Sequence, residues 1–236
     1  MPSKRNPAVA KPLTKGGTCK IVIMGAGGTT ADVLSIIDDI NREKRRYTCV
    51  GVLDDDRSLW GKERFGVKVL GSLQQAARLR DVRFINCLGS PANFWKRGAV
   101  LTRTGIPLGR FETLVHPTAS LARTSRIGNG TVLYPNVVVM ANVRIGNHVT
   151  VLASTVMNHD VVVEDLCIIT SGVNISGRVR IGRGSYIGSG ATLIQDLVVG
   201  EHALVGMGSV VTREVAPRTV VAGNPAAYLR DVGRDA

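Results

Sequence analysis

The residues with the clearest chemical potential lie in the stretch TVMNHDVVVED, which spans residues 155–165. It places a histidine beside an aspartate, His159 and Asp160, in a region otherwise rich in Val, Ile, Gly and Asn. Because an imidazole gains and loses a proton near neutral pH, His159 is a candidate general base. Asp160 has two interpretations that the sequence leaves open: it orients the imidazole, or it is a turn residue at a corner.

A second candidate site is a glycine-rich turn, and its glycines are Gly25, Gly27 and Gly28. It follows the β-branched run KIVIM and precedes apolar residues at helical spacing, which predicts a strand, a tight turn and a helix over about 29–45. Such a turn leaves backbone N–H groups free for a phosphate. The next predicted strand, TCVGVL, ends in Asp54 and Asp55, whose carboxylates can accept hydrogen bonds from a ribose or a base.

The dinucleotide-binding pattern G-x-G-x-x-G is incomplete, because Thr30 occupies its third glycine position. This disfavours a nicotinamide-dependent oxidoreductase and leaves open a turn that needs glycine only for its backbone conformation. Further strand and helix patterns follow the turn. Residues 18–110 are therefore predicted to form one small, mostly parallel Rossmann-like α/β domain.

The second half of the chain has a strict six-residue period. The residues in phase are all aliphatic or Met: Ile127, Leu133, Val139, Ile145, Val151, Met157, Val163, Ile169, Ile175, Ile181, Ile187, Leu193, Val199, Val205 and Val211. A chance run of this length has odds on the order of 10⁻⁵. The period indicates a parallel β-helix of triangular coils, each made of three hexapeptides, over residues 111–230.

Stacked coils make residues 18 apart neighbours. His159 lies two positions after the inward-facing Met157, so we expect it to point outward at a corner. The residue one coil on is Gly177, which leaves room beside the histidine and offers its backbone N–H. This is the layout of a general base beside an oxyanion donor, and a solvated surface histidine is the alternative. His148 and His202 are interpreted as surface residues, and no metal site is predicted.

Charge and composition narrow the classes of partner. The net charge is +12, and residues 1–17 carry four basic side chains and no acidic one, so this segment is predicted to be a disordered tail, as are residues 231–236. The charge fits a phosphorylated small molecule, whereas the absence of aromatic-interleaved basic strips disfavours nucleic acid.

The absence of a long apolar run argues against membrane insertion. Cysteines within apolar runs favour a reducing compartment, the cytoplasm.

Several motifs together resemble bacterial sugar acyltransferases of the sialic acid O-acetyltransferase type. They are the two-domain order, GAGG, VLDDD, HPTA, the hexapeptides, the NHD corner and VVAGNPA. The resemblance covers about residues 18–230 and implies a left-handed β-helix, a homotrimer, and acetyl-CoA as the acyl donor in the cleft between adjacent β-helices. One departure is Thr29, since the family commonly has a histidine directly after the turn.

The resemblance also implies roles for individual residues. His159 would be the base, and Gly177 would offer its amide to the thioester carbonyl. The pantetheine arm would pass Ser189 and Met207. The nucleotide part of the sugar substrate would contact residues of the N-terminal domain, namely Gly25, Gly27, Gly28, Asp54 and Asp55.

The expected activity is acetyl transfer to the amino group of a nucleotide-linked deoxyamino sugar, such as a UDP- or GDP-linked 4-amino sugar. Two alternatives remain. One is O-acetylation of a nonulosonic acid or another hydroxyl acceptor, which would use the same base. The other is a non-catalytic trimeric scaffold, which an intact column of His159 and Gly177 disfavours.

Overall fold

The structure is a computed structural model that describes residues 18–233. The predicted tail at residues 1–17 and the final residues 234–236 lie outside the described range. The predicted C-terminal tail begins one residue too early, because Asp231 is the last residue of a strand.

The N-terminal part is a five-stranded sheet with one main helix. Its elements are β1 (Cys19–Met24), α1 (Gly28–Glu43), β2 (Tyr47–Leu53), β3 (Glu63–Arg64), β4 (Val67–Gly71), β5 (Arg83–Asn86) and α2 (Arg97–Arg103). Short 3₁₀ helices lie at Arg57–Leu59, Leu73–Arg78, Phe94–Lys96 and Leu108–Arg110. The strand order is β3-β4-β2-β1-β5, and every pairing is parallel except that of β3 with β4. This confirms the predicted α/β domain class.

Helix α1 packs its apolar face on the sheet, where Val33, Ile36, Ile37 and Ile40 are buried. It begins and ends slightly earlier than predicted. The end has a local cause, since the Asn41 side chain accepts hydrogen bonds from the backbone N–H groups of Arg46 and Tyr47. Those two bonds turn the chain directly into β2.

The second part is a three-sided parallel coil of two-residue strands. Face 1 contains β6 (Leu114–Val115), β9 (Val132–Leu133), β12 (Thr150–Val151), β15 (Ile168–Ile169), β18 (Tyr186–Ile187) and β21 (Leu204–Val205), extended by β23 (Thr219–Gly223) and β24 (Ala226–Asp231). Face 2 contains β7 (Ser120–Leu121), β10 (Val138–Val139), β13 (Val156–Met157), β16 (Asn174–Ile175), β19 (Thr192–Leu193) and β22 (Val210–Val211). Face 3 contains β8 (Arg126–Ile127), β11 (Arg144–Ile145), β14 (Val162–Val163), β17 (Arg180–Ile181) and β20 (Val198–Val199).

The predicted inward column forms the core of the coil. Every residue of the six-residue series from Ile127 to Val211 is buried, and none is more than 8% exposed. Strands pair with a register of 18 residues, for example Met157 with Ile175. Because small β-branched side chains fill the narrow interior, the coil needs few aromatic residues.

The N-terminal domain docks on face 1 of the coil. Arg97 of α2 is only 2% exposed, and its guanidinium donates to Thr150 Oγ1 at 2.9 Å and to the backbone carbonyls of Leu166 and Cys167. Burial lowers the pKa of Arg97 to about 10. No sequence pattern indicated this contact. Within residues 18–233, no helix is long and apolar enough to span a membrane.

The order of the faces decides where each corner lies. The chain leaves face 2 at Met157, turns through His159, and enters face 3 at Val162. The His159 corner, the column of residues 141, 159, 177 and 195, therefore lies opposite face 1, where the N-terminal domain packs. The Ser189 corner, the column of residues 135, 153, 171, 189 and 207, joins face 1 to face 2.

Candidate active site

The His159 corner presents a histidine held by its neighbouring aspartate. The Nδ1 atom of His159 lies 2.9 Å from Oδ2 of Asp160, and the His159 side chain is 55% exposed. Because a carboxylate can only accept, Nδ1 carries the proton and Nε2 keeps a lone pair. Nε2 has no hydrogen-bond partner within residues 18–233. The ring is therefore in the tautomer that a general base requires.

Asp160 meets both interpretations that the sequence left open. Its backbone is left-handed, with φ of 61°, as a corner requires. Its carboxylate also accepts from His159 and, at 3.0 Å, from the Asn142 side-chain amide. These hydrogen bonds, that from His159 foremost, lower the pKa of Asp160, so the side chain is a carboxylate near neutral pH.

Gly177 lies directly against the imidazole. A Cβ built on Gly177 would come within 2.7 Å of both Cε1 and Nε2 of His159, so the ring occupies the space of the missing side chain. Gly177 itself is buried. The open space that the sequence predicted beside the histidine is therefore filled by the ring itself, because the 18-residue spacing does not show which way the side chain folds.

The backbone N–H of Gly177 nevertheless lacks an acceptor. Within residues 18–233 it donates to no other group. At the equivalent position of another corner, the N–H of Asn147 donates to Asp165 Oδ1 at 2.7 Å. An unpaired N–H beside a histidine is a donor that a ligand oxygen can satisfy.

The glycine-rich turn has room for a ligand. Gly25 has a φ of 104°, which only glycine adopts readily, and Thr30 is buried with its Oγ1 donating to the Gly25 carbonyl at 2.6 Å. Gly27 and Gly28 are exposed at the start of α1, and a Cβ on either would meet nothing within 4 Å. Packing therefore does not require glycine at these two positions.

The carboxylates of Asp54 and Asp55 accept hydrogen bonds from backbone N–H groups of the N-terminal domain. Asp54 accepts at 2.7 Å from the N–H of Ala26 and at 2.8 Å from that of Asp56, so both of its oxygens hold backbone in place. Asp55 is exposed and accepts from the N–H of Leu73 at 3.0 Å through one oxygen. Its second oxygen is available to a ligand.

Ser189 and Met207 are exposed on the Ser189 corner, and the Met207 side chain is 81% exposed. On one chain they do not lie at the His159 corner, because face 2 separates the two corners. Helix α1, which begins at the glycine-rich turn, contacts the coil beside the Ser189 corner, where Oδ2 of Asp39 lies 3.0 Å from Nε2 of His116, one coil before Tyr134. Burial, with the nearby Cys87 and Asp32, raises the pKa of the Tyr134 phenol, and Tyr134 immediately precedes that corner.

The remaining histidines are less exposed than the sequence suggested. His148 stacks edge-on against Phe111 at 4.4 Å between ring centroids, and burial lowers its pKa to about 4. His202 covers Gly184 as His159 covers Gly177. Within the described residues, no three His, Cys, Asp or Glu side chains are placed to hold a metal ion.

Comparison with known proteins gives the same architecture. A family model described as bacterial transferase hexapeptide (six repeats) matches residues 124–158. The acetyltransferase domain of PglB from Neisseria gonorrhoeae FA1090, in complex with acetyl coenzyme A, is 27% identical, with a TM-score of 0.76 over 90% of this chain and 100% of that chain. WeeI from Acinetobacter baumannii AYE is 25% identical, with a TM-score of 0.75 over 90% and 100% of the two chains.

A third structure supports the fold alone. A mutant of perosamine N-acetyltransferase from Caulobacter crescentus, in complex with CoA and GDP-perosamine, is 21% identical. Its TM-score is 0.77 over 92% of this chain and 99% of that chain. All three matches span both parts of the chain, so they share the order of α/β domain and coil. The chain is therefore an acyltransferase by its similarity to these structures, and it has the left-handed β-helix fold and the two-domain architecture that its motifs predicted.

Proposed function

We propose that this enzyme transfers the acetyl group of acetyl-CoA to the amino group of a nucleotide-linked deoxyamino sugar. The observation that carries the proposal is the His159 corner, where a correctly protonated imidazole lies against an unpaired backbone N–H. The similar PglB acetyltransferase domain, which was solved with acetyl coenzyme A, supports the acyl donor. The open glycine-rich turn at the start of α1 supports a phosphate-bearing acceptor.

The proposed reaction is direct attack. The amine nitrogen forms a bond to the thioester carbonyl carbon while Nε2 of His159 takes one of its protons. The backbone N–H of Gly177, which has no acceptor within residues 18–233, donates to the oxyanion. The C–S bond breaks as the carbonyl reforms, and the CoA thiolate leaves. Asp160 stabilises the imidazolium that results.

The proposal includes a homotrimer, because one chain holds two separated halves of the site. His159, Asp160 and Gly177 lie at one corner, whereas Ser189 and Met207 lie at another, on the side of the coil that helix α1 contacts. A second copy that places its Ser189 corner against the His159 corner completes the cleft. The proposal places the enzyme in the cytoplasm, which suits its free cysteines.

The reaction is tested by measuring release of the CoA thiol from acetyl-CoA in the presence of UDP-, GDP- and dTDP-linked amino sugars. We expect release with at least one of these sugars and formation of its N-acetyl product. The matching hydroxyl sugars serve as controls. Release only with a free sialic acid, or with no acceptor at all, would contradict the proposal.

Gly27→Asp is expected to raise the KM for the nucleotide sugar at least tenfold while the KM for acetyl-CoA is unchanged. Gly27 is the N-cap of α1, where aspartate is a favoured residue, and its Cβ meets no other atom. The fold is therefore retained, and the added carboxylate repels a phosphate. Steady-state kinetics measure both constants, and thermal melting checks the fold. An unchanged KM for the sugar would remove the turn from the site.

The same variant tests the shared cleft. In mixed trimers, a His159→Asn chain can supply an intact glycine-rich turn to the intact histidine of a neighbouring Gly27→Asp chain. Random assembly gives roughly a quarter of the sites this composition. Co-expression should therefore recover activity that neither homotrimer has at low sugar concentration. No recovery would place both halves of the site within a single chain.

A further inference from the structure

Beyond the residues already assigned, we propose that Asn142 is a positioning residue that holds Asp160, and through it His159, in the orientation needed for proton transfer. The proposal rests on the proposed function, because the role of Asn142 has meaning only if His159 is the base. Asn142 lies one coil before Asp160, and within residues 18–233 it makes no hydrogen bond to the imidazole of His159 or to the N–H of Gly177.

A polar column runs along this corner beside the histidine. Its members are spaced by one coil: Thr124, Asn142, Asp160, Arg178 and Asp196. Thr124 Oγ1 accepts from the N–H of Asn142 at 2.9 Å, and Asn142 Nδ2 donates to Asp160 Oδ1 at 3.0 Å. Asp160 Oδ2 then accepts from His159. Each oxygen of Asp160 therefore has its own donor.

Because each carboxylate oxygen of Asp160 accepts from a different donor, the plane of the carboxylate is fixed. An exposed carboxylate with one partner can rotate about χ2, and its bond to the imidazole would then exchange with water. The amide of Asn142 removes that freedom. The Asn142 backbone has a φ of 62°, a left-handed conformation that asparagine tolerates. This backbone conformation fixes the position of the Cβ atom from which the side chain extends.

The other charged groups at this corner are already paired. Arg178 binds Asp196 through two hydrogen bonds, one of them 2.7 Å from Nη2 to Oδ2. Arg178 and Asp196 still act electrostatically on the pair, since Arg178 contributes to lowering the pKa of Asp160 and His159 to lowering that of Asp196. Asn142 is thus the neutral group that contacts Asp160 on the side away from Arg178.

The chain offers a matched control in Asn147. Its side-chain amide donates to Oδ1 of an aspartate one coil on, Asp165, at 3.2 Å, as the amide of Asn142 donates to Asp160. Asn147 lies at the corner that joins face 3 to face 1, away from both halves of the proposed cleft. Glycine at Asn142 keeps the left-handed backbone, and alanine at Asn147 removes the amide.

The experiment compares Asn142→Gly and Asn142→Asp with Asn147→Ala and Asn147→Asp in the full chain. Asn142→Gly should lower kcat by roughly 3–10-fold with the KM for acetyl-CoA unchanged. Asn142→Asp should move the acid limb of the kcat/KM profile to higher pH by roughly half a unit, because a second carboxylate favours the protonated imidazole. The Asn147 variants should match the unsubstituted protein in both respects.

A second readout does not need turnover. The ¹⁵N shifts of the His159 ring, assigned by their loss in His159→Asn, report the tautomer and the titration midpoint. Asn142→Gly should reduce the Nδ1–H population, and Asn142→Asp should raise the midpoint. Asn142 variants that match their Asn147 counterparts in both kinetics and ring shifts would overturn the positioning role. If no acceptor is acetylated but the ring shifts respond, the proposed reaction fails while the contact with Asp160 stands.

Discussion

Replacing His159 by asparagine is expected to lower kcat by a factor on the order of 10²–10⁴, while acetyl-CoA still binds. Asparagine retains a polar side chain of similar size but has no nitrogen lone pair that can take a proton from the amine. Because the side chain is 55% exposed and contributes nothing to the core, the fold should be unaffected. Thiol-release kinetics measure the turnover, and calorimetry measures donor binding.

His202→Asn is the matched control for this substitution. His202 also lies at a corner and also packs against a glycine one coil away, Gly184. It belongs to a corner that joins face 3 to face 1, away from Asp160. It should retain most of the turnover. Near-normal turnover in His159→Asn would exclude His159 as the base and indicate another proton acceptor.

Gly177→Ala is expected to lower kcat on the order of 10²-fold, because the new Cβ would displace the imidazole. The nearest atoms are Cε1 and Nε2 of His159, both 2.7 Å from that Cβ, so the nitrogen that takes the proton is the one moved. The backbone N–H remains in place. Loss of turnover with a normal melting temperature would therefore report the position of the base.

Two further variants separate this effect from general damage to the coil. Gly184→Ala crowds His202 at 2.6 Å and adds the strain of a left-handed backbone, with φ of 65°, so it is the harsher change for stability. It should nonetheless leave kcat near normal. In a His159→Ala background, Gly177→Ala should cause little additional loss, because the ring it displaces is absent. Full additivity of the two losses would contradict a steric effect on the base.

The repeat made much of the coil predictable from sequence. Each inward position is fully enclosed, so selection for a small apolar side chain recurs at every sixth residue and fixes both the period and the phase. The register between coils then follows without long-range information. For this reason the proximity of His159 and Gly177 could be predicted, and Met157 does pair with Ile175.

Side-chain direction and domain docking could not be predicted in the same way. Whether the imidazole extends into solvent or folds over Gly177 depends on rotamers and on the bond to Asp160, which the period does not encode. The same 18-residue step from Asp160 leads to Asn142, so that contact could have been inferred. The buried Arg97 had no signal, because one arginine in a polar helix does not show which surface will cover it.

The docking of the N-terminal domain along face 1 fixes the distance, measured along the coil axis, between that domain and each coil. Arg97 fixes the domain at the coils of Thr150 and Leu166, so the height of the glycine-rich turn is set relative to the stack. Each coil adds roughly 4.8 Å along the axis. If the histidine were one coil earlier or later, the distance from it to the glycine-rich turn would change by about one strand spacing. The acceptor that spans the two would have to be longer or shorter by the same amount. In the proposed reaction, the coil that carries His159 would therefore set which distance between phosphate and amine the acceptor can have.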